Sequence, residues 1–282
     1  MVSTIKIARR KVLPVGLGTW HMGDDPKKEK QEIKALQAGL DHGATVIDTA
    51  EMYGEGNSER LVGKAIDSYH REDLFLISKV YPWNASKKQL PKSLAASLKR
   101  LGTDYLDLYL LHWTGNIPLE ETVAALESAR QSGQIRAWGV SNFDVSDLEE
   151  LYEIPGGENC QTNEVLYNLG ERGTEFDLQP YMKKRELPLI AYSPLNQGDR
   201  RQKLANAPEV RQIAKNHEVS VYQLLLAWTI QKEGIIAIPQ SSNAKHTIEN
   251  VKATEIKLTK DELTLLDEVF PTPTSKQSLA II

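Results

Sequence analysis

An aspartate, a tyrosine, a lysine and a histidine stand at the ends of successive apolar runs. Asp48 closes Thr45-Val46-Ile47, Tyr53 follows in the next loop, Lys79 closes Leu74-Phe75-Leu76-Ile77-Ser78, and His112 closes Leu106 to Leu111. A phenol is a proton source, but with an ordinary pKa near 10 it is a poor one at neutral pH unless its phenolate is stabilised. An ammonium about 4 Å away, at an effective dielectric of about 20, contributes roughly 4 kcal/mol, or about three pKa units before desolvation offsets part of it. A carboxylate such as Asp48 would hold that lysine charged and in position in a closing site. His112 would orient a carbonyl or share its proton. Each residue alone has a plainer explanation, as a helix cap, loop packing, a snorkelling cation or a hydrogen-bonded core histidine. At the mouths of successive strands, the four together point to one proton-donating site.

The runs that must position them are short and rich in β-formers: Val15-Gly16-Leu17, Thr45 to Ile47, Leu74 to Ser78, Tyr105 to Leu111, Ile135 to Val140, Cys160 to Val165, Leu189 to Tyr192 and Ile235 to Ile238. Strand alternation places His112 on the face of Leu106, Leu108 and Leu110, and Lys79 on the face of Ile77 and Phe75. Between the runs lie segments with helical spacing, such as Leu94, Leu98 and Leu101. Alternating βα units need parallel strands with crossover helices, and the simplest closure is a (β/α)8 TIM barrel, expected here as a single domain over residues 1–282. A doubly wound open sheet is the rival, although Gly16-Leu17-Gly18-Thr19-Trp20 lacks the third glycine of the dinucleotide fingerprint. Ile5-Lys6-Ile7 and Lys11-Val12-Leu13, separated by Ala8-Arg9-Arg10, are expected to form an N-terminal β-hairpin closing the barrel bottom.

Composition narrows the function classes. With 34 Lys and Arg against 38 Asp and Glu, the formal charge of −4 excludes a basic nucleic-acid binder. Apolar stretches fall far short of the roughly 18 residues of a membrane span, so no membrane partner is expected. Lys6, Arg9, Arg10 and Lys11 interrupt any signal-peptide core, and Cys160, the single cysteine, fits a reducing compartment. A cytoplasmic monomer acting on a small molecule is the expectation.

Over nearly its whole length the sequence resembles the aldo-keto reductase family. The resemblance rests on Gly16-Leu17-Gly18-Thr19-Trp20, Asp48-Thr49-Ala50 with Tyr53-Gly54, Asn57-Ser58-Glu59, Ser78-Lys79, Leu101-Gly102-Thr103-Asp104 running on to His112-Trp113, Gly139-Val140-Ser141-Asn142-Phe143, Ala191-Tyr192-Ser193-Pro194-Leu195, and Ile238-Pro239 with Glu249-Asn250. It implies a nicotinamide-dependent oxidoreductase that reduces aldehydes and ketones to alcohols, with Tyr53 as general acid, Asp48 and Lys79 tuning it, and His112 directing the carbonyl. It also implies that Ser141, Asn142 and Gln161 hydrogen-bond the carboxamide and that Tyr192 stacks on the nicotinamide. Further cofactor contacts are implied for Thr19, Trp20, Asp48, Ser193, Pro194 and Leu195. At the adenosine end they are implied for Gln240, Ser241, Ser242, Asn243, His246, Glu249 and Asn250.

Two departures stand out. Cys160-Gln161-Thr162-Asn163 replaces the usual Asn-Gln-X-Glu, and Gln240 and His246 stand where the family has a lysine and an arginine for the adenosine 2′-phosphate. NADP(H) remains the expected cofactor, with dual NADP(H)/NAD(H) use left open. The free N–H groups at the helix start after Asn243 would favour the phosphate. Trp20, Trp83, His112 and Trp113 are expected to wall the substrate pocket, with Met22 and Tyr81 as weaker candidates. Asn196 to Lys203 follows Leu195 where a loop could fold over the cofactor pyrophosphate, although consecutive charges read more plainly as a solvated surface turn, and the short tail after Pro271 and Pro273 suggests an open pocket. The alternative function is a cofactor-binding regulatory subunit with slow chemistry, as in potassium-channel β subunits.

Overall fold

The apolar runs become strands, and the segments between them become helices. In the computed structural model, which describes residues 4–282, an antiparallel hairpin of β1 (Ile5–Ile7) and β2 (Arg10–Val12) opens the chain. Then follow β3 (Leu17–Gly18), α1 (Glu29–Asp41), β4 (Val46–Asp48), α2 (Asn57–Ile66), β5 (Phe75–Val80), α3 (Leu90–Leu101), β6 (Leu106–Leu111), α4 (Leu119–Gln131) and β7 (Ile135–Ser141). The order continues through α5 (Val145–Glu153), β8 (Asn163–Leu166), α6 (Leu178–Lys184), β9 (Leu189–Tyr192), α7 (Gly198–Asn206), α8 (Pro208–Asn216) and α9 (Val221–Ile230). It closes with β10 (Ile235–Ala237), α10 (Ala244–Lys252) and α11 (Lys260–Val269).

Strands β3 to β10 form one eight-stranded sheet in chain order. Its ends join. Gly16 N donates to Ala237 O at 2.8 Å, Ala237 N to Pro14 O at 2.8 Å, and Gly18 N to Pro239 O at 3.1 Å. This seam makes the sheet a (β/α)8 barrel and removes the open-sheet alternative. Gly18 is required there, since a Cβ on it would lie 2.5 Å from Ile238 O.

Inside the barrel, Val46, Phe75, Ile77, Leu108, Leu110, Ala137, Ile190 and Ile236 pack together. Ile7 and Val12 of the hairpin join them and plug the bottom. The hairpin turn is one residue shorter than the sequence suggests: Ile7 pairs with Arg10, and only Ala8 and Arg9, both at positive φ, form the turn. Arg10 is drawn into the ladder because its guanidinium donates to Leu74 O, Glu72 O and Asp107 Oδ1.

The helices cover the outer face by burying one stripe each. In α3 the stripe is Leu90, Leu94, Leu98 and Leu101; Pro91 sits in its first turn, and Gly102 in the left-handed conformation ends it. Reciprocal capping boxes start α5 (Asp144 with Asp147), α9 (Ser220 with Gln223) and α11 (Thr259 with Glu262). No helix among the described residues is long and apolar enough to cross a membrane.

Candidate active site

Strand parity builds the site. Val46 faces the interior and Ile47 the helices, so Asp48 faces inward again; the same count from Phe75 and Ile77 brings Lys79 inward, and from Leu108 and Leu110 brings His112. Neighbouring parallel strands in register then place the three side chains side by side at the C-terminal end of the barrel. Tyr53 enters from the turn after β4.

Lys79, fully buried, is the hub. Its Nζ donates to Asp48 Oδ1 at 2.6 Å, Asp48 Oδ2 at 2.7 Å, Thr49 O at 3.2 Å and the Tyr53 phenol oxygen at 3.2 Å. Glu164 Oε1 on β8 lies 3.3 Å from the same nitrogen. Burial disfavours the ammonium, but the attraction of Asp48 and then Glu164 outweighs it, so Lys79 stays charged far above neutral pH. For Tyr53 the balance differs from the sequence-based expectation. Burial raises its pKa, Lys79 lowers it by less, and Asp48 and Glu164 raise it further, so the net shift is upward. Asp48 holds the ammonium where it can meet a phenolate, while burial outweighs the ammonium's field on the resting phenol. Tyr53 therefore rests protonated. Because Lys79 donates to the phenol oxygen, the phenol's own proton is left for an acceptor in the cavity.

His112 is held neutral: burial, and secondarily the Lys79 charge, lower its pKa to about 2. Its Nδ1 is buried without a partner, and its ring stands edge-on to Tyr53, 5.9 Å between centroids. Its carbonyl accepts from Asn142 Nδ2 at 3.2 Å, and Asn142 Oδ1 in turn accepts from Tyr192 OH at 2.8 Å. Asn142, at a φ of 60°, ends β7 in the left-handed conformation that asparagine tolerates, which turns its amide into this chain.

Above the four residues opens a cavity of about 600 Å³. Its walls include Thr19, Trp20, Asp48, Tyr53, His112, Trp113, Ser141, Asn142, Glu164 and Tyr192, then Ser193, Pro194, Leu195 and Arg201 on one side and Pro239 and Gln240 on the other. A family model described as the aldo/keto reductase family matches residues 14–270. The chain belongs to that family.

Relatives agree over the full length. The chain is 48% identical over 269 residues to the methylglyoxal reductase YeaE of Escherichia coli (strain K12), covering 95% of this chain and 94% of that one. It is 34% identical over 267 residues to a glyoxal reductase of Bacillus subtilis (strain 168), covering 94% and 91%. Among solved structures, an aldo-keto reductase from Klebsiella pneumoniae in complex with NADPH superposes with a TM-score of 0.98 at 45% identity, each chain covered completely.

Against the aldo/keto reductase pattern, the structure places some residues differently from the sequence reading. Gln161 precedes β8, its Nε2 donates to Asn159 O, and it is absent from the cavity wall. The residue of that strand on the cavity wall is Glu164, three positions later, which the motif reading passed over. Its signal was an acidic residue inside an apolar strand run. Trp83 is also off the wall: it is 60% exposed and stacks on Tyr81 at 4.3 Å, with Trp113 between it and the cavity.

Asn196 to Lys203 is solvated as expected from Gly198 to Lys203, but that stretch is helical rather than a turn. It includes the start of α7, and Asn196, Gln197 and Arg201 line the cavity. At α10 the helix-start N–H groups of Lys245 and His246 are already capped by Asn243 Oδ1, at 2.9 and 3.3 Å. Ser242 donates to Glu32 Oε1, and Ser241, Asn243, His246, Glu249 and Asn250 lie beyond the cavity wall proper. The tail reaches the pocket, where the exposed Ile281 and Ile282 form part of its rim.

Proposed function

We propose that this protein is an NADPH-dependent carbonyl reductase converting small aldehydes and ketones to alcohols, with Tyr53 as general acid. The observation that carries the reading is the buried ammonium of Lys79 touching both the Asp48 carboxylate and the Tyr53 phenol at the cavity floor. The cavity suits a nicotinamide dinucleotide on its own features. Glu164 Oε2 and His112 Nδ1 are buried polar atoms without a protein partner. The Tyr192 ring and Arg201 both line the cavity. When bound, the reduced dinucleotide supplies a hydride to the carbonyl carbon.

Every other part of the reaction is assigned to the chain. Tyr53 gives its proton to the carbonyl oxygen, and the phenolate left behind faces the Lys79 ammonium, which Asp48 keeps charged and fixed. Neutral His112 is a hydrogen-bonding partner for the carbonyl that carries no charge of its own. Ser141 and Asn142 would hold the carboxamide and Tyr192 would offer a flat face to the ring, with Asn142 already fixed by the Tyr192 hydroxyl. Arg201 and Ser193 to Leu195, on the cavity wall, would hold the phosphates, and Ser241, Ser242, Asn243 and exposed Lys245 would serve the adenosine end. Trp20 and Trp113 bound the substrate side.

The relatives' names as methylglyoxal and glyoxal reductases support small dicarbonyls as the first substrates to try, and they do not favour a purely regulatory subunit. Residence in the cytoplasm as a monomer is part of the same proposal, on the single buried Cys160. The test is a panel of aldehydes, dicarbonyls and ketones, each followed by loss of reduced-nicotinamide absorbance with NADPH and, separately, NADH. Consumption of NADPH with methylglyoxal and other small aldehydes is expected; no consumption with any carbonyl would overturn the reading.

A further inference from the structure

Glu164 is a second buried carboxyl in a site whose chemistry asks for one. It sits on β8, 2% exposed, with Oε1 at 3.3 Å from Lys79 Nζ and its carboxyl within hydrogen-bonding reach of Asp48. Its other oxygen, Oε2, is buried on the cavity wall and has no partner. The groups facing it are Asp48 from β4, Tyr53 from the turn beyond, Lys79 from β5, His112 from β6 and Tyr192 from β9.

Only one of these is a cation, and it makes its two shortest contacts to Asp48. One ammonium cannot neutralise two carboxylates that are both buried, so a proton is retained between the two acids. Burial first, and then the Asp48 charge, hold the Glu164 carboxyl well above the usual range. The remaining neighbours keep their charge states around neutral pH: His112 is neutral, and Tyr53, Tyr192 and Lys79 are all shifted upward. The carboxyl pair is the part of this wall that can change its charge.

We propose that Glu164 is a charge switch for the redox form of the ligand: as a neutral acid it suits the uncharged reduced pyridine ring, and as a carboxylate it favours the oxidised, positively charged ring. The inference rests on the dinucleotide reading above. Binding of the oxidised form expels the retained proton to solvent, whereas binding of the reduced form leaves it in place. Rising pH therefore shifts the pocket's preference toward NADP⁺.

Equilibrium binding of NADPH and NADP⁺ to the unmodified protein, from about pH 6 to about pH 9, tests this directly. The 2′-phosphate titrates near the low end of that range, but both ligands carry it, so it cancels in their ratio. The ratio of the NADPH to the NADP⁺ dissociation constant should rise with pH, by about tenfold per pH unit wherever one proton leaves with NADP⁺ alone. In Glu164→Gln it should stay level. Calorimetry in two buffers of different protonation enthalpy should show a proton released with NADP⁺ and not with NADPH. That measurement needs no variant and stands if Glu164→Gln does not fold. A ratio flat with pH in the unmodified protein, an unchanged slope in Glu164→Gln, or equal proton release with both ligands would remove Glu164 from this role and leave the reductase reading intact. Failure of both dinucleotides to bind at any pH would sink both.

Discussion

Tyr53 takes its proton-donating character from its place more than from its resting acidity. Burial keeps the phenol protonated, and the ammonium at 3.2 Å becomes effective as the proton leaves. Tyr53→Phe should accordingly bind NADPH as before and lose about two to four decades of turnover, the scale of acid catalysis, in single-turnover assays; undiminished turnover would displace Tyr53 from the role. His112 carries a stability signature. Its folded pKa of about 2 lies below the unfolded value near 6.5, so the unfolded chain takes the proton first and stability falls as pH drops below that value. Between about pH 6.5 and about pH 5 the loss from this group is about 2 kcal/mol. Urea midpoints at both pH values should fall further for the native chain than for His112→Gln. Parallel falls would place the pH sensitivity elsewhere. The inward parity of Lys79 and His112 was legible because side chains along a strand repeat every two residues. Glu164 was not, because a motif match on Gln161 fixed attention outside the strand, and only the true strand start at Asn163 sets the parity that turns Glu164 inward.

At the scale of elements, the strands were readable from their apolar runs and the hairpin from its two short β segments, since both are local patterns. Closure was not, because it depends on Gly16 and Gly18 meeting a strand more than 200 residues away. The seam is also where a small change is felt most. An alanine methyl at position 18 meets Ile238 O at 2.5 Å, a backbone atom that cannot rotate aside. Gly18→Ala should cost about 1–3 kcal/mol in chemical denaturation, the range for overpacking. A cost below about 0.5 kcal/mol would mean that the seam yields freely. α7 was read as a turn because Gly198-Asp199-Arg200-Arg201-Gln202-Lys203 shows no apolar stripe; only Leu204 and Ala205 at its end are buried. Its fold is imposed by the neighbouring helix and loop, which no local pattern carries.

The whole chain returns on itself. After α11 the tail passes Gly173, where Gln277 packs, and is pinned by Lys276, whose ammonium reaches Asp144 Oδ1 at 2.5 Å and Asp177 Oδ2 at 2.7 Å. Leu279 packs on the main core, and Ile281 and Ile282 end at the cavity wall. Their contribution was illegible in the sequence, because a dozen residues without secondary structure carry no periodic signal. With the wall trimmed in the double variant Ile281→Ala and Ile282→Ala, the ratio of kcat/KM for a bulky aryl aldehyde over a small dicarbonyl should rise roughly tenfold, the scale of a few methylenes in a pocket. An unchanged ratio would show that substrates bind clear of the tail.

The Lys276 clamp is half in solvent, whereas the Lys79 hub is sealed. Mobile ions screen the first and barely reach the second. In strong brine the outer strap should slacken while the proton donor beneath is undisturbed, so the breadth of carbonyls accepted becomes a matter of the medium's ionic strength, readable as the bulky-to-small ratio climbing with sodium chloride.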